Sequence, residues 1–273
     1  MLGHEKVNVS LSLGLDILSE STADFLTAIE VHENKEGERM QFALFSMDGV
    51  LFLLRWIHFF AGVTWIGLLY YFNFVQGAFF AETDAATKSN AVQKLVPRAL
   101  LWFRHGALWT MISGLLILAI RGHLGGPAIF ASSWGVTILT GAALGLTMGA
   151  NVWFVIWPNQ KVVIASATQV AKGGQAIPNA AACAAKAGLA SRTNTLFSFP
   201  LLFFMGAASH LPLGIGPNAN FMFLAVAMAV IIGALQFNAL KGKMGPMTTV
   251  RGVIHCGVAL TAVMYVAMEV LTK

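Results

Sequence analysis

Apolar and polar positions divide this chain into two unlike parts. Residues 1–39 are polar and acid-rich, whereas beyond them apolar residues gather into six blocks, at roughly 49–78, 99–120, 133–157, 196–212, 218–240 and 248–271. A helix needs about 20 apolar residues to cross a bilayer, so blocks of this length predict membrane spans. The fourth block is short and holds Pro200, which predicts a kink whose freed carbonyl is satisfied by neighbouring helices. The third carries Gly141, Gly145 and Gly149, a small-residue stripe that lets another helix approach closely, and we read it as packing. The pattern predicts an all-α, polytopic transmembrane bundle of about six spans. It also predicts two regions, an acidic N-terminal extension at 1–46 and a transmembrane domain at 47–273.

Composition agrees with the pattern. The 273 residues are 57% hydrophobic and 11% charged, with a mean hydropathy of +0.71. A soluble domain of this length needs more charge to cover its surface. The net charge of +5 gathers into no basic, aromatic-laced cluster of the kind that binds nucleic acid. Cys183 and Cys256 are too few for a disulfide framework, and neither lies in a C-x-x-C-H haem-attachment motif. The N-terminus lacks the basic start and apolar core of a signal peptide. Within it, Leu15, Leu18, Phe25, Leu26 and Ile29 suit a weak amphipathic helix after Asp16, docked on a partner or on the membrane surface.

Basic residues predict orientation. With the N-terminus outside, Lys88, Lys94, Arg98, Arg104, Lys161, Lys172, Lys186, Arg192, Lys241, Lys243 and Arg251 fall on the cytoplasmic side. Lys6, Lys35, Arg39, Arg55, Arg121 and Lys273 fall on the other. Positive charge favours the inside, so both termini are expected outside. Trp102, Trp153, Trp157 and Trp134 near block ends suit interfacial belts. Residues 158–195, polar and alanine-rich, are expected to form a large cytoplasmic loop.

Four of the seven histidines, His58, His105, His210 and His255, lie inside apolar blocks. Ionisable groups in a membrane are costly and usually face the bundle interior for a reason. Each alone could be an interhelical hydrogen bond. Together they sort by depth into an outer pair, His58 with His210, and an inner pair, His105 with His255. Facing imidazoles can supply both axial ligands of a b-type haem, within an apolar shell that excludes water. Arg55 and Arg251, three and four residues before their histidines, share a helical face with them and could meet the propionates. They could equally anchor helix ends at the lipid interface. No zinc motif is present. Copper stays open through methionines such as Met205 near His210, although methionine is more often core filler. No catalytic triad, phosphate loop or membrane carboxylate pair supports hydrolysis, phosphoryl transfer or proton-coupled transport.

Several runs carry a family resemblance. Arg55-Trp56-Ile57-His58, with Ala61-Gly62 and Trp65-Ile66-Gly67, resembles the first helix of the membrane domain of bacterial membrane-bound urate oxidase (urate hydroxylase). The runs Asn151-Val152-Trp153 through Ile156-Trp157-Pro158-Asn159-Gln160-Lys161, and Ser191-Arg192-Thr193-Asn194-Thr195 through Met205-Gly206-Ala207-Ala208-Ser209-His210, are similar to signature stretches of that domain. A looser pattern from His58 to Gly67 is shared with copper-resistance D and HemJ-like membrane proteins. The resemblance covers most of 47–273. It implies a helical membrane domain of the bacterial inner membrane, coupled to a periplasmic cytochrome c, with urate oxidised and electrons passed to the respiratory chain. His58 and His210 match its motifs; His105 and His255 rest on depth alone.

The chain departs from the family in its acidic extension and in stopping at Lys273 without a cytochrome c, so a separate cytochrome c or respiratory complex is the expected partner. The expected function is b-haem electron relay, with one or two haems. An accessory subunit without catalysis, or a copper- or haem-handling membrane protein, is the alternative.

Overall fold

The computed structural model describes residues 42–273, and 87% of those are helical, with no strand among them. The amphipathic stretch expected after Asp16 lies outside the described residues. Contacts divide the chain at Val50 and Leu51 into two units. Of the first, a 3-10 turn at Ala43–Phe45 is described, followed by Ser46, whose hydroxyl donates to the Ala43 carbonyl and accepts from the Gly49 amide.

Seven helices follow in the described residues: α1 (Met47–Glu82), α2 (Ala85–Lys94), α3 (Val96–Gly125), α4 (Ser133–Ala171), α5 (Ala180–His210), α6 (Phe221–Lys241) and α7 (Val250–Leu271). Side-chain oxygens set several starts by accepting first-turn amides: Asp84 for α2, Ser132 for α4, Asn220 for α6 and Thr249 for α7. Helices α1 and α4 each contain a turn of π-helix, at Tyr71–Gln76 and Asn151–Ile156.

Five of these helices, α1, α3, α4, α6 and α7, are long and apolar enough to cross a membrane. Side chains facing away from the bundle are large and apolar, as lipid requires; Val63, Phe154, Met222 and Phe237 are among them. Together these features make the chain a multi-pass, membrane-embedded protein. The expected fourth span, 196–212, is the C-terminal part of α5, a 31-residue helix that runs on through the buried Pro200. Its polarity keeps it out of the apolar set. Thr193, Asn194, Thr195 and Ser198 are at most 1% exposed, so it turns polar groups toward other helices rather than lipid. It packs against α4, α6 and α7.

The loop expected over 158–195 is corrected. Residues up to Ala171 continue α4, Ala180 already begins α5, and only the stretch between is non-helical. Alanine is the best helix former, and Pro158 directly follows the π segment, where the regular amide ladder is already interrupted. The glycine stripe packs as expected. Gly141 lies against Phe204 and Met205, Gly145 against Leu201, and Gly149 against Met111 of α3. The network that joins α4, α5 and α6 is made of carboxamides. Asn151 donates to Asn194 Oδ1 at 2.8 Å and to Gln236 Oε1 at 2.8 Å, and Gln236 donates back to Asn151 Oδ1 at 2.6 Å. Asn194 in turn donates to the Met148 carbonyl at 2.9 Å.

Candidate functional site

Helices α1 and α3 come together backbone to backbone. A Cβ added at Gly106 would stand 3.0 Å from the Trp65 amide nitrogen and 3.1 Å from the Ala61 carbonyl. Only glycine permits that crossing without displacement. Beside it the two helices enclose a groove of about 470 Å³. Its walls are almost wholly apolar, with Trp56 and Phe60 from α1 and Trp102 and Trp109 from α3. That volume lies within the roughly 300–1,000 Å³ of small-molecule and cofactor pockets.

His105 lines this groove and is the one titratable side chain in it. Its Nδ1 lies 2.8 Å from the Leu101 carbonyl, which can only accept. Nδ1 therefore carries the proton, and Nε2 is left with a free lone pair. The ring also meets Trp153 of α4 edge-on, with centroids 6.1 Å apart. One nitrogen tied to a carbonyl and the other bare is the usual arrangement of a ligating histidine.

His58 sits further along the same helix pair. Its Nδ1 is 3.2 Å from Ser113 Oγ, and that hydroxyl spends its own proton on the Trp109 carbonyl at 2.6 Å. Ser113 therefore accepts from His58 Nδ1. Gly114 makes room for the ring, since a Cβ there would stand 3.0 Å from His58 Cε1.

The other expected residues lie apart from this groove. His210 ends α5 and is exposed; His255 lies near the start of α7 and is exposed, as are Arg55 and Arg251. None of the four histidines hydrogen-bonds another, and no three metal-type ligands gather among the described residues. As a test of haem fit, the groove offers one imidazole with a free nitrogen, apolar walls and adequate volume; it offers no second histidine and no arginine.

Arg104, expected on the cytoplasmic side at a block end, makes a contact that its position did not announce. Its guanidinium stacks on Trp157 with Cζ 3.8 Å from the ring centroid, and Nη1 is buried without a hydrogen-bond partner. Arginine beside a block end, with tryptophans at the same level, was the available signal. Also missed were Asn73, Gln76 and Gln160, three carboxamides in or beside apolar blocks. Carboxamides in a membrane seek partners on other helices, and Asn73 finds Ser191 Oγ of α5 at 2.8 Å.

The fold and these side chains define a class, the multi-pass helical membrane proteins that carry imidazoles and carboxamides between their helices. A family model described as urate oxidase N-terminal matches residues 123–269, and the chain belongs to that family. No curated protein and no solved structure matches the chain. The match begins after His58 and His105 and takes in His210 and His255. It also covers the later two of the three runs that carried the resemblance.

Proposed function

We propose that the chain is a b-haem electron-transfer protein of the bacterial inner membrane. It relays electrons from a reductant to a periplasmic cytochrome c or respiratory complex, with urate as the substrate class that the family match supports. The observation that carries this reading is His105. Its imidazole lies in an apolar groove of about 470 Å³ with Nδ1 tied to Leu101 and Nε2 free. Such a nitrogen can donate to haem iron, and the almost wholly apolar walls raise the cost of charge and so would tune the potential. The haem would supply one-electron redox chemistry; the chain would hold it, orient the imidazole and keep water out.

His58 is the second ligand candidate, with its own nitrogen fixed by Ser113. Pairing it with His210, and His105 with His255, remains part of the proposal, as does the role of Arg55 and Arg251 toward propionates. The test is a reduced-minus-oxidised spectrum of the purified chain, with haem counted per polypeptide. A b-type signal at one or two haems per chain is expected. A purified, folded chain without that signal would overturn the haem reading and leave an accessory or copper-handling membrane protein.

A further inference from the structure

The histidine groove leaves one part of the bundle unexplained. At the opposite end of α1, five polar side chains from three helices line a second cavity, of about 190 Å³. They are Asn73 and Gln76 of α1, Gln160 of α4, and Ser191 and Arg192 of α5. Phe72 and Phe103 close another side, edge to face with centroids 5.4 Å apart. From His58 to Phe72 the rise along α1 is about 21 Å, so this cavity is separate from that histidine.

Three observations point to a ligand. Two polar atoms of the lining are buried without a hydrogen-bond partner, Gln76 Oε1 and Arg192 Nη1. One is an acceptor and the other a charged donor, and each is costly to bury unmatched. No acidic residue lines the cavity, and the one ion pair among the described residues is Lys273 with Glu269, elsewhere in the molecule. Among the described residues the Arg192 charge is therefore uncompensated. Finally, both π-helical turns border the cavity. Phe72, Asn73 and Gln76 belong to the first and Ile156 to the second. Such turns re-aim side chains and occur often at functional sites. Gln160 and Ser191-Arg192 come from two different runs of the sequence resemblance, and the fold brings both to this one place.

We propose that this cavity binds a small planar anion bearing N–H donors beside its oxygen acceptors, as a deprotonated cyclic urea or imide does. Arg192 Nη1 donates to the charged oxygen, and Gln76 Oε1 accepts from a ring N–H. The phenylalanines cover the flat faces. The volume of about 190 Å³ falls below the roughly 300–1,000 Å³ of drug-sized pockets, which suits a small heterocycle. The choice of urate as ligand rests on the substrate class proposed above, whereas the site itself does not rest on haem.

The experiment is calorimetric titration of the purified chain in detergent with urate, and in parallel with sulfate, an anion that lacks both planarity and donors. Saturable binding of one urate per chain is expected, with sulfate at least tenfold weaker. Arg192→Gln should weaken urate at least tenfold and Arg192→Lys less. Gln76→Leu should weaken urate while leaving sulfate unchanged. His105→Ala should leave urate binding intact, which separates this cavity from the histidine groove. Each variant is checked for helical content and a single elution peak, and a variant that fails this check is replaced by its conservative partner, Arg192→Lys or Gln76→Asn. Absence of urate binding to folded protein overturns the proposal. So does urate binding unaltered by substitution at both positions, or sulfate binding as tight as urate, which would mark a water-filled pocket with general anion affinity.

Discussion

The two halves of α1 behave as different materials. From Leu51 to Leu69 the helix shows large apolar side chains to the outside, bonds a side chain of α3 through His58 and touches α3 through a glycine crossing. From Tyr71 onward the π turn brings Asn73 and Gln76 inward, and Tyr70 and Asn73 bond Ser198 and Ser191 of α5 at 2.9 and 2.8 Å. The first half borders a space where a free imidazole nitrogen meets apolar walls. The second borders one where carboxamides and a guanidinium meet. One helix thus serves two chemistries because a single wide turn re-aims the side chains between them.

The strongest way to break this comparison is His105→Ala. We expect complete loss of the b-type signal from the groove, with helical content unchanged by circular dichroism. A retained signal would move the haem to the exposed histidines. Next in size is Asn194→Leu, which removes a fully buried carboxamide and leaves Asn151 and the Met148 carbonyl short of partners. The expected loss is about 1–3 kcal/mol of stability, read from thermal unfolding in detergent. This change strikes the polar side of the bundle and should spare the groove. Gly106→Ala sharpens the other side. Its Cβ would press on the Trp65 backbone, and overpacking of this kind costs about 1–3 kcal/mol, the lower end being expected because the clash is slight. Haem affinity should fall with it, because the groove is bounded by the same crossing.

The smallest effect lies outside both regions. Asp84 caps α2, and its carboxylate accepts from the Thr87 hydroxyl and from the Thr87 and Ala86 amides, which hold its pKa below the ordinary carboxylate value. A depressed pKa means that the cap contributes fully above the ordinary value and is lost as pH falls through the lowered one. Amide exchange in Ala85–Lys94 should therefore quicken below that point, and Asp84→Ala should remove the pH dependence.

Much of this was legible in the apolar blocks. Their lengths announced membrane helices, and the Gly141 to Gly149 spacing announced close packing, because both depend on one helix at a time. The nature of α5 was not legible. Thr193, Asn194 and Thr195 read as polar loop, and the fold shows them buried in a helix packed against α4, α6 and α7. At the candidate sites, His58 and His105 stood out because histidine in an apolar run is conspicuous. Depth alone could not show which face each ring takes, so Ser113 and Leu101 as their partners emerged only from the structure. Gln76 and Gln160 were invisible for a related reason. Near a block end a glutamine looks like a boundary, and the two are joined in a cavity only by helices that lie far apart in sequence.

The polarity of α5 bears on how the protein is built. A segment carrying Arg192, Asn194 and Ser198 partitions poorly from the translocon into lipid by itself. Its polar groups are answered by side chains of α1 and α4, both of which are synthesised before it. The helices made first thus hold ready the hydrogen-bonding groups that let α5 leave water, much as a template would.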